Sequence, residues 1–319
     1  MRVIDAEAVE SALGFPKLVD ILDDAFRIGA IAPPRHHHTI GLAGRPDATL
    51  LLMPAWTTSA PGVETAGKYA GIKSVTVFPD NARLGKPAVY GAYLLLSTET
   101  GEPVALMDAP RLTVWRTAAA SALAARYLSR TDASRMLMVG AGALASYLVR
   151  AHASVRPIRE VMVWNRTQAN AEKLVRKLAG SGFQVSVTSD LESPARAADL
   201  ISTATLSEVP LVHGAWLKPG THLDCVGAFR PHMRETDDGV VSRARLWVDT
   251  RAGAFHEAGD IVMPLKAGVI RESDVVGDLF ELARGTAPKR TSPEEITMFK
   301  SVGAAIEDLA AAVAVYENA

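Results

Sequence analysis

The chain has 319 residues, of which 48% are hydrophobic and 22% are charged. This length and composition favour a globular protein of two domains with a large buried core, and they exclude a disordered chain. Because 34 basic residues are balanced by 35 acidic ones, the chain has no basic excess with which to bind nucleic acid or an anionic membrane surface.

The cysteine content and the first residues bear on the cellular compartment. A single cysteine, Cys225, excludes an internal disulfide and is typical of a reducing compartment. The segment MRVIDAEAVESAL lacks the basic and apolar regions of a signal peptide, and no apolar run approaches the roughly 18 residues that would cross a membrane. We therefore expect a cytoplasmic protein with no membrane span.

The first 40 residues predict two short helices and then an extended segment. Apolar residues recur at helical spacing over residues 6–28, with a break at the G-F-P of residues 14–16. Prolines open the segment 32–40, APPRHHHTI, and favour extended chain. The three histidines at 36–38 alternate between the faces of a strand, so they cannot converge on one metal ion, although one could donate a proton in a pocket. We predict no metal site.

Strands predicted at 48–54, 66–78 and 88–97 form an antiparallel sheet. Lys73 lies in the middle of one of them, in the apolar stretch GIKSVTVF. An inward-facing ammonium would be costly unless it met an anion. An outward-facing lysine on an edge strand fits the spacing equally well.

A long alanine-rich helix is predicted over 113–128, TVWRTAAASALAARYL, after an extended segment at 106–113. This boundary places Arg116 and Thr117 in the first helical turn. Their side chains and the neighbouring N–H groups could then face an anion at an interdomain cleft. Thr117 is predicted to contact the cofactor.

A strand, a glycine turn and a helix are predicted at 135–150, RMLMVGAGALASYLVR. The apolar run at 136–139 is typical of a buried parallel strand. Glycines and an alanine then follow in the spacing G-x-G-x-x-A, which allows a tight turn, close approach of a pyrophosphate and close packing of the helix. We expect a dinucleotide to contact the following residues through this loop and helix start: Gly140, Ala141, Gly142, Ala143 and Leu144.

The second strand of this domain, EVMVWNRT, ends about 25 residues after the first glycine, where a dinucleotide fold meets the adenosine ribose. No acidic residue stands there to bind a ribose 2′-hydroxyl. Instead Asn165, Arg166 and Thr167 offer donors that suit a 2′-phosphate. The sequence therefore predicts NADPH as the cofactor, with NADH as the alternative.

Alternating strands and helices continue to about residue 250. A strand at 200–203 and another at 223–227 end in loops of small residues, which are natural contacts for the nicotinamide side of a cofactor. The residues predicted to contact it are Thr203, Ala204, Thr205, Val226 and Gly227. Residues 294–301 and 302–316 predict a turn and a final helix. The fold class is therefore α/β, with a Rossmann-type doubly wound parallel sheet domain and a second, α+β domain.

These residues carry a resemblance that covers nearly the whole chain. The sequence resembles the ornithine cyclodeaminase and mu-crystallin family, and the matching stretches are GIKSVTVFPDN, TGEPVALMDAPRLTVWRTAAASALAARYL, VGAGALA, VMVWNRT, ADLISTATLS, PLVHGAWLKPGTHLDCVGAF, EAGDI and ITMFKSVGAAIEDLAAA. The resemblance implies a substrate and dimerisation domain at 1–115 that is completed by 302–319. It also implies an NADP-binding Rossmann domain at 116–301 and a homodimer formed through the sheet of the substrate domain.

The resemblance implies that Arg35, Lys73 and Arg116 gather around the carboxylate of a substrate, which makes Lys73 an inward-facing lysine. Three such cations are tolerable together only with an anion between them. Ser301 and Lys300, at the predicted start of the last helix, resemble the cofactor-side FKS motif of the family.

Two departures from the cyclodeaminase pattern bear on the substrate. Leu51 and Ala228 stand where the cyclodeaminases place a Glu and an Asp, so an ornithine ammonium would lose both carboxylate partners. The loop at Ala228 and the stretch Asn165-Arg166-Thr167 are instead similar to mu-crystallin and to bacterial reductases of cyclic imino acids.

The predicted activity is NADPH-dependent reduction of a cyclic imino acid, such as 1-pyrroline-2-carboxylate to proline or 1-piperideine-2-carboxylate to pipecolate. Arg35 and Arg116 would bind the carboxylate and Lys73 could pass a proton to the imine nitrogen. An apolar wall around the ring is expected from Met53, Trp56 and the loop at Ala228 and Phe229. The alternatives are ornithine cyclodeamination, oxidation of a small amino acid such as alanine, and binding of NADPH with a small ligand without turnover.

Overall fold

A computed structural model of the chain describes residues 1–58 and 67–318, so the predicted strand start at residue 66 lies outside the described residues. The strands in chain order are β1 (Arg2–Ile4), β2 (His36–Ile40), β3 (Ala48–Trp56), β4 (Tyr69–Val77), β5 (Val89–Ser97), β6 (Pro103–Asp108), β7 (Arg135–Val139), β8 (Glu160–Trp164), β9 (Gln184–Val187), β10 (Leu200–Thr203), β11 (His222–Cys225), β12 (Arg245–Val248), β13 (Val275–Asp278) and β14 (Thr297–Lys300).

The α-helices in chain order are α1 (Ala6–Ala12), α2 (Phe15–Ile28), α3 (Ala109–Leu128), α4 (Ala145–Val155), α5 (Gln168–Leu178), α6 (Glu192–Ala197), α7 (Asp238–Arg243), α8 (Arg251–Glu257), α9 (Gly259–Lys266), α10 (Leu279–Arg284) and α11 (Ala305–Asn318). Short 3-10 helices cover Pro79–Leu84, Gly214–Trp216 and Glu272–Asp274. The chain divides into two compact units. The first contains Met1–Arg116 and Ala304–Ala319, and the second contains Thr117–Gly303.

The first unit is built on a six-stranded sheet in the order β1-β6-β5-β4-β3-β2. All neighbouring strands pair antiparallel except β1 and β6, which pair parallel. Helix α11 contacts β3, β4 and β5 and also packs against α2. The two helices predicted before residue 28 are confirmed. Pro16 lies in the first turn of α2, where its missing N–H group costs nothing.

The second unit is built on an eight-stranded sheet in the order β13-β12-β14-β11-β10-β7-β8-β9. Every neighbouring pair in it is parallel. The five strands from β7 to β11 follow the Rossmann order 3-2-1-4-5, with the strand order reversing beside β7. This sheet confirms the predicted α/β class.

Two sequence-based boundaries are wrong. The predicted turn at 294–301 contains β14, which lies between β11 and β12 in the parallel sheet, and the last helix begins at Ala305. The predicted helix start at residue 113 is also late, because α3 already begins at Ala109. Pro110 is compatible with that start, since proline is tolerated in the first helical turn.

Candidate active site

A row of buried side chains crosses the sheet of the first unit. Met53 of β3, Lys73 of β4 and Tyr93 of β5 are register partners, so their side chains share one face of the sheet. All three are buried, and Lys73 is only 3% exposed. Lys73 therefore faces inward from an interior strand.

The Lys73 ammonium is paired with a carboxylate from the last helix. Its Nζ lies 2.6 Å from Oδ2 of Asp308 in the first turn of α11. Burial lowers the pKa of Lys73 to about 8, with Arg116 and Arg35 lowering it further and Asp308 opposing the shift. Lys73 is therefore a cationic group that can release its proton near neutral pH.

Arg116 joins the same carboxylate. Its Nε donates to Oδ1 of Asp308 at 2.9 Å, and its Nη1 donates to Oε2 of Glu307 at 2.7 Å. Burial alone would lower the pKa of Arg116, but the two carboxylates raise it above its ordinary value. Burial would likewise raise the pKa of Asp308, but Arg116 and Lys73 hold it below its ordinary value.

Two sequence-based expectations about these cations are wrong. Arg116 is the eighth residue of α3 and not a first-turn residue, so it does not share a helix N-terminus with an anion. The anion that makes the cations tolerable is supplied by the protein itself, as Glu307 and Asp308, and does not have to be a bound ligand.

Arg35 precedes β2 and lies within electrostatic range of Lys73, whose pKa it lowers. Arg35, Lys73 and Arg116 bring three cationic groups to this cluster. Asp308 pairs with Lys73 and Arg116, and Glu307 pairs with Arg116. Cationic groups gathered in this way are suited to binding an anionic group.

The predicted apolar wall is only partly assembled on this face. Met53 lies beside Lys73 in the sheet, whereas Trp56 is three residues further along β3 and pairs with Ala70. Because side chains alternate along a strand, Trp56 lies on the opposite face from Met53. The structure therefore does not bring Trp56 to the Lys73 cluster.

In the second unit the glycine loop has the geometry of a dinucleotide site. Gly140 has a φ of +108°, and a Cβ there would lie 2.7 Å from the carbonyl oxygen of Ala204. Gly142, in contrast, has open space where a Cβ would stand, so its backbone is accessible to a ligand. These glycines fit a phosphate-bearing cofactor.

One cavity in the second unit connects the glycine loop with the end of β8. Asn165 fixes its wall, since its Oδ1 accepts from the N–H of Ala141 at 3.1 Å and its Nδ2 donates to the carbonyl of Thr167 at 2.8 Å. The predicted cofactor residues that line this cavity are Gly140, Ala141, Gly142, Asn165, Arg166, Thr167, Ala204 and Thr205. Asn165 therefore acts through the backbone on both sides of the cavity, in addition to lining it.

The remaining predicted cofactor residues of the loop lie beside this cavity. Ala143 lines a neighbouring hollow together with Lys173 and Lys177. Leu144 is the N-cap residue of α4, and its carbonyl accepts from the N–H groups of Tyr147 and Leu148.

The other predicted cofactor residues lie at the carboxyl end of β10, in the loops after β10, β11 and β14, and on α3. Thr203 and Thr205 donate their hydroxyls to the buried carboxylate of Glu235. Val226 and Ser301 are buried, and the Ser301 hydroxyl has no hydrogen-bond partner within residues 1–58 and 67–318. Thr117 is nearly buried on α3.

Four acidic residues of these sites were not singled out from the sequence. Glu307 and Asp308 lie in the first turn of a helix, where acidic residues are common because they favour the helix dipole. Asp260 and Glu235 occupy a helix start and a loop, and neither position carries a spacing that marks it as buried. Only the three-dimensional pairing with lysine and arginine shows their role.

The whole chain matches one family model. The model describes the ornithine cyclodeaminase/mu-crystallin family and matches residues 2–319. The chain belongs to this family. Relatives with a described activity include the Delta(1)-pyrroline-2-carboxylate reductase of Paracoccus denitrificans, which is 39% identical over 287 residues and aligns with 90% of this chain and 88% of its own length.

Two solved structures are similar to this chain over nearly its full length. One is the Thermococcus litoralis Delta(1)-pyrroline-2-carboxylate reductase in complex with NADH and L-proline, with a TM-score of 0.90, 30% identity and coverage of 100% of this chain and 97% of its own. The other is an archaeal alanine dehydrogenase dimer with bound NAD, with a TM-score of 0.89, 34% identity and coverage of 100% and 95%.

Two further observations on the described residues concern a metal site and a membrane span. Among residues 1–58 and 67–318, no three His, Cys, Asp or Glu side chains are grouped so that they could hold a metal ion. In the same part of the chain, no helix combines the length and the apolar character needed to span a membrane.

Proposed function

We propose that this chain is an oxidoreductase that reduces cyclic imino acids with NADPH. The substrates would be 1-pyrroline-2-carboxylate, which gives proline, and 1-piperideine-2-carboxylate, which gives pipecolate. A bound nicotinamide cofactor would supply a hydride to C2 of the ring, and the chain would supply a proton to the ring nitrogen.

The buried cations Lys73 and Arg116, with Arg35 acting on Lys73, carry this proposal. A planar imino acid brings one carboxylate, which would bind next to Lys73 and Arg35. Arg116 would hold Glu307 and Asp308 in place through its hydrogen bonds to both carboxylates, and it would add its positive charge to the cluster. Binding the carboxylate at this point orients C2 of the ring and excludes water from the reacting bond.

Lys73 would donate the proton that the reduction consumes. Its pKa of about 8 lies close to the pH of the cell, which is the range in which a general acid is most effective. The ring nitrogen gains this proton as the C=N bond becomes a C–N bond, and Lys73 recovers a proton from solvent after product release. Asp308 stabilises the protonated form of Lys73 between turnovers.

The preference for NADPH is supported by the cavity at the end of β8. Arg166 and Thr167 line it, and the strand itself ends without an acidic residue that would repel a 2′-phosphate. The similar solved structures contain NADH and NAD, so the proposal for this chain is that both cofactors bind and that NADPH binds more tightly.

Replacing Arg166 tests the phosphate assignment. We expect Arg166→Asp to lower kcat/KM for NADPH by roughly 100-fold and to leave kcat/KM for NADH largely unchanged. The substitution replaces a cationic hydrogen-bond donor to the 2′-phosphate with a carboxylate, which repels that phosphate. The measurement is the ratio of kcat/KM for the two cofactors, with Arg159→Asp on the same unit as the control. An unchanged ratio would contradict the assignment.

Cofactor oxidation with a panel of substrates tests the reaction itself. We expect turnover with 1-pyrroline-2-carboxylate and 1-piperideine-2-carboxylate, and none with ornithine. Leu51 and Ala228 offer an ornithine ammonium no carboxylate. Binding of NADPH without turnover of either imine would instead favour a protein that only binds small ligands.

A second candidate is an amino-acid dehydrogenase that acts on alanine, and the 34% identity with the archaeal alanine dehydrogenase favours it. The same cationic side chains would bind an open-chain carboxylate. Faster cofactor oxidation with pyruvate and ammonia than with either cyclic imine would select this candidate.

We also propose that two copies of the chain associate through the exposed face of the first sheet. A row of apolar side chains crosses that face on five neighbouring strands, and its members are Pro54, Ile72, Leu94, Leu106 and Val3. Val3 is 76% exposed, which favours a partner surface. We expect Leu94→Glu to halve the mass measured by light scattering, and an unchanged dimer mass would contradict the proposal.

A further inference from the structure

Three fully buried ionisable side chains lie together in the second unit, outside the cavity of the glycine loop. They are Lys300 at the end of β14, Asp260 in the first turn of α9, and Glu235 in the loop before α7. Each is 0% exposed. Burying an ion pair seldom stabilises a fold more than apolar residues of the same volume would, so such a group needs another explanation.

Lys300 and Asp260 connect two loops. The Lys300 ammonium donates to the carbonyl of Gly227, in the loop that follows β11, and lies 3.2 Å from Oδ2 of Asp260. The other oxygen of Asp260 accepts from the backbone N–H groups of Glu235 and Thr236 and from the Thr236 hydroxyl, each at 2.9 Å. One carboxylate thus links Lys300 to the segment that carries Glu235.

Glu235 extends the connection to the loop that follows β10. Its Oε2 accepts from the Thr203 hydroxyl at 2.8 Å, and its Oε1 accepts from the N–H of Thr205 at 2.6 Å and from its hydroxyl at 2.8 Å. Gly227 packs so closely that a Cβ there would lie 2.4 Å from Oε1 of Glu235. The Glu235 carboxylate therefore contacts both loops: it accepts hydrogen bonds from the loop after β10, and the loop after β11 packs closely against it.

The loop after β11 has a strained backbone conformation at Ala228. Ala228 has a φ of +50°, in the left-handed region that side chains other than glycine rarely adopt. Its carbonyl accepts from the N–H of Gly259 at 3.2 Å, next to Asp260. A strained backbone persists only where its surroundings fix it, and here these surroundings are the segment of Asp260 and the ammonium of Lys300.

We propose that Lys300, Asp260 and Glu235 form a positioning network that fixes the loops after β10 and β11 for the nicotinamide end of the cofactor. This inference rests on the proposed function, in which those loops contact the nicotinamide. The three side chains would act through Gly227, Thr205 and Ala228. The backbone of these residues must be correctly placed at the carboxyl ends of the parallel strands, where the nicotinamide would bind.

Two probes separate the ends of the cofactor. NADPH contains the nicotinamide, whereas 2′-phospho-ADP-ribose contains only the adenosine and phosphate part that the glycine loop and Arg166 would bind. We expect Asp260→Asn to weaken NADPH binding roughly tenfold and to lower kcat by about the same factor, because a small displacement of positioning groups is costly. The affinity for 2′-phospho-ADP-ribose should change less than about twofold, because sites that are distant and share no partners have nearly independent effects.

Asp224→Asn is the matched control. Asp224 is also a fully buried carboxylate of this unit, bound to His152 and Ser202, and it contacts neither loop. We expect this variant to lose stability and to keep the wild-type ratio of the two affinities. If both variants change the two probes equally, the network is merely structural and the proposal is overturned.

Glu235→Gln covers the case in which Asp260→Asn does not fold, since the amide keeps the shape and an oxygen acceptor. Measured at pH 8, it should weaken NADPH selectively, by roughly threefold to tenfold, for the same positional reason. Equal loss for both probes overturns the positioning role. Failure of the wild-type chain to bind either probe would instead show that the proposed dinucleotide function is wrong.

Discussion

Lys73 in the first unit and Lys300 in the second are both buried, and each is paired with an aspartate of a first helical turn. Their pKa values nevertheless shift in opposite directions. Burial lowers the pKa of Lys73 to about 8, because Arg116 and Arg35 act in the same direction and only Asp308 opposes them.

Burial acts on Lys300 in the same way, yet its pKa is raised above the ordinary value. Asp260 and Glu235 both stabilise its charge, and no cation is among the main influences on it. Lys300 therefore has two carboxylates and no cation among its main neighbours, whereas Lys73 has one carboxylate and two arginines. The comparison teaches that the neighbouring charges, and not burial, decide whether a buried lysine can give up its proton.

The largest expected effect comes from removing the lysine that can exchange a proton. We expect Lys73→Ala to lower kcat for imine reduction by roughly a thousandfold, in the range of a lost general acid. Cofactor affinity should be preserved, because the glycine loop and the end of β8 belong to the second unit. Kinetics and NADPH titration measure the two quantities.

The exposed Lys86→Ala provides the control for this experiment, since its side chain lies in solvent. Turnover of Lys73→Ala within about threefold of wild type, well short of what loss of a general acid costs, would refute the assignment of the proton donor.

Removing the aspartate beside Lys73 should have a smaller effect with a clear direction. Asp308 raises the pKa of Lys73, so Asp308→Asn should lower that pKa below about 8. The protonated lysine is present below its pKa and is lost as the pH rises through it. The pH above which reduction slows should therefore move down, and kcat at pH 7.5 should fall roughly tenfold to a hundredfold.

Asp260→Asn is the matched comparison for that profile, because it removes the aspartate of the other lysine. It should leave the upper pH limit of reduction where the wild type has it. An identical limit in wild type and Asp308→Asn would show that Lys73 does not set the pH dependence.

The sequence singled out some residues of both candidate sites and not others, and the reasons are physical. Lys73 stands out because a lone charge interrupts an apolar strand, and the glycine loop stands out because its spacing is constrained by close packing. Asp308 does not stand out, because an acidic residue in a first helical turn has an ordinary explanation in the helix dipole.

The misreading of β14 has a related cause. The strand is only four residues long and ends in Lys300, and a charged residue argues against a central strand unless its partners are known. Those partners, Asp260 and Glu235, are 40 and 65 residues away in the sequence (300 − 260 and 300 − 235). Pairings of this kind are decided by tertiary structure and leave no local pattern.

The smallest expected effect concerns Glu235, one of the two carboxylates beside Lys300 in the second unit. Burial raises the pKa of Glu235 to about 7, with Asp260 acting in the same direction and Lys300 and the hydroxyls of Thr203 and Thr205 opposing them. The folded protein therefore binds more protons at this carboxyl than the unfolded chain does between pH 4.5 and 7. Ionisation of Glu235 then destabilises the fold as the pH rises through that window.

Glu235→Gln removes this titration while other groups titrate alike in both proteins. We expect the stability of the variant relative to wild type to increase by about 1–3 kcal/mol between pH 4.5 and 7, because one pKa unit corresponds to about 1.4 kcal/mol. Urea unfolding followed by tryptophan fluorescence at both pH values measures the difference. A pH-independent difference would mean that folding does not raise the pKa of Glu235, and that burial beside Asp260 does not act on this carboxyl as described.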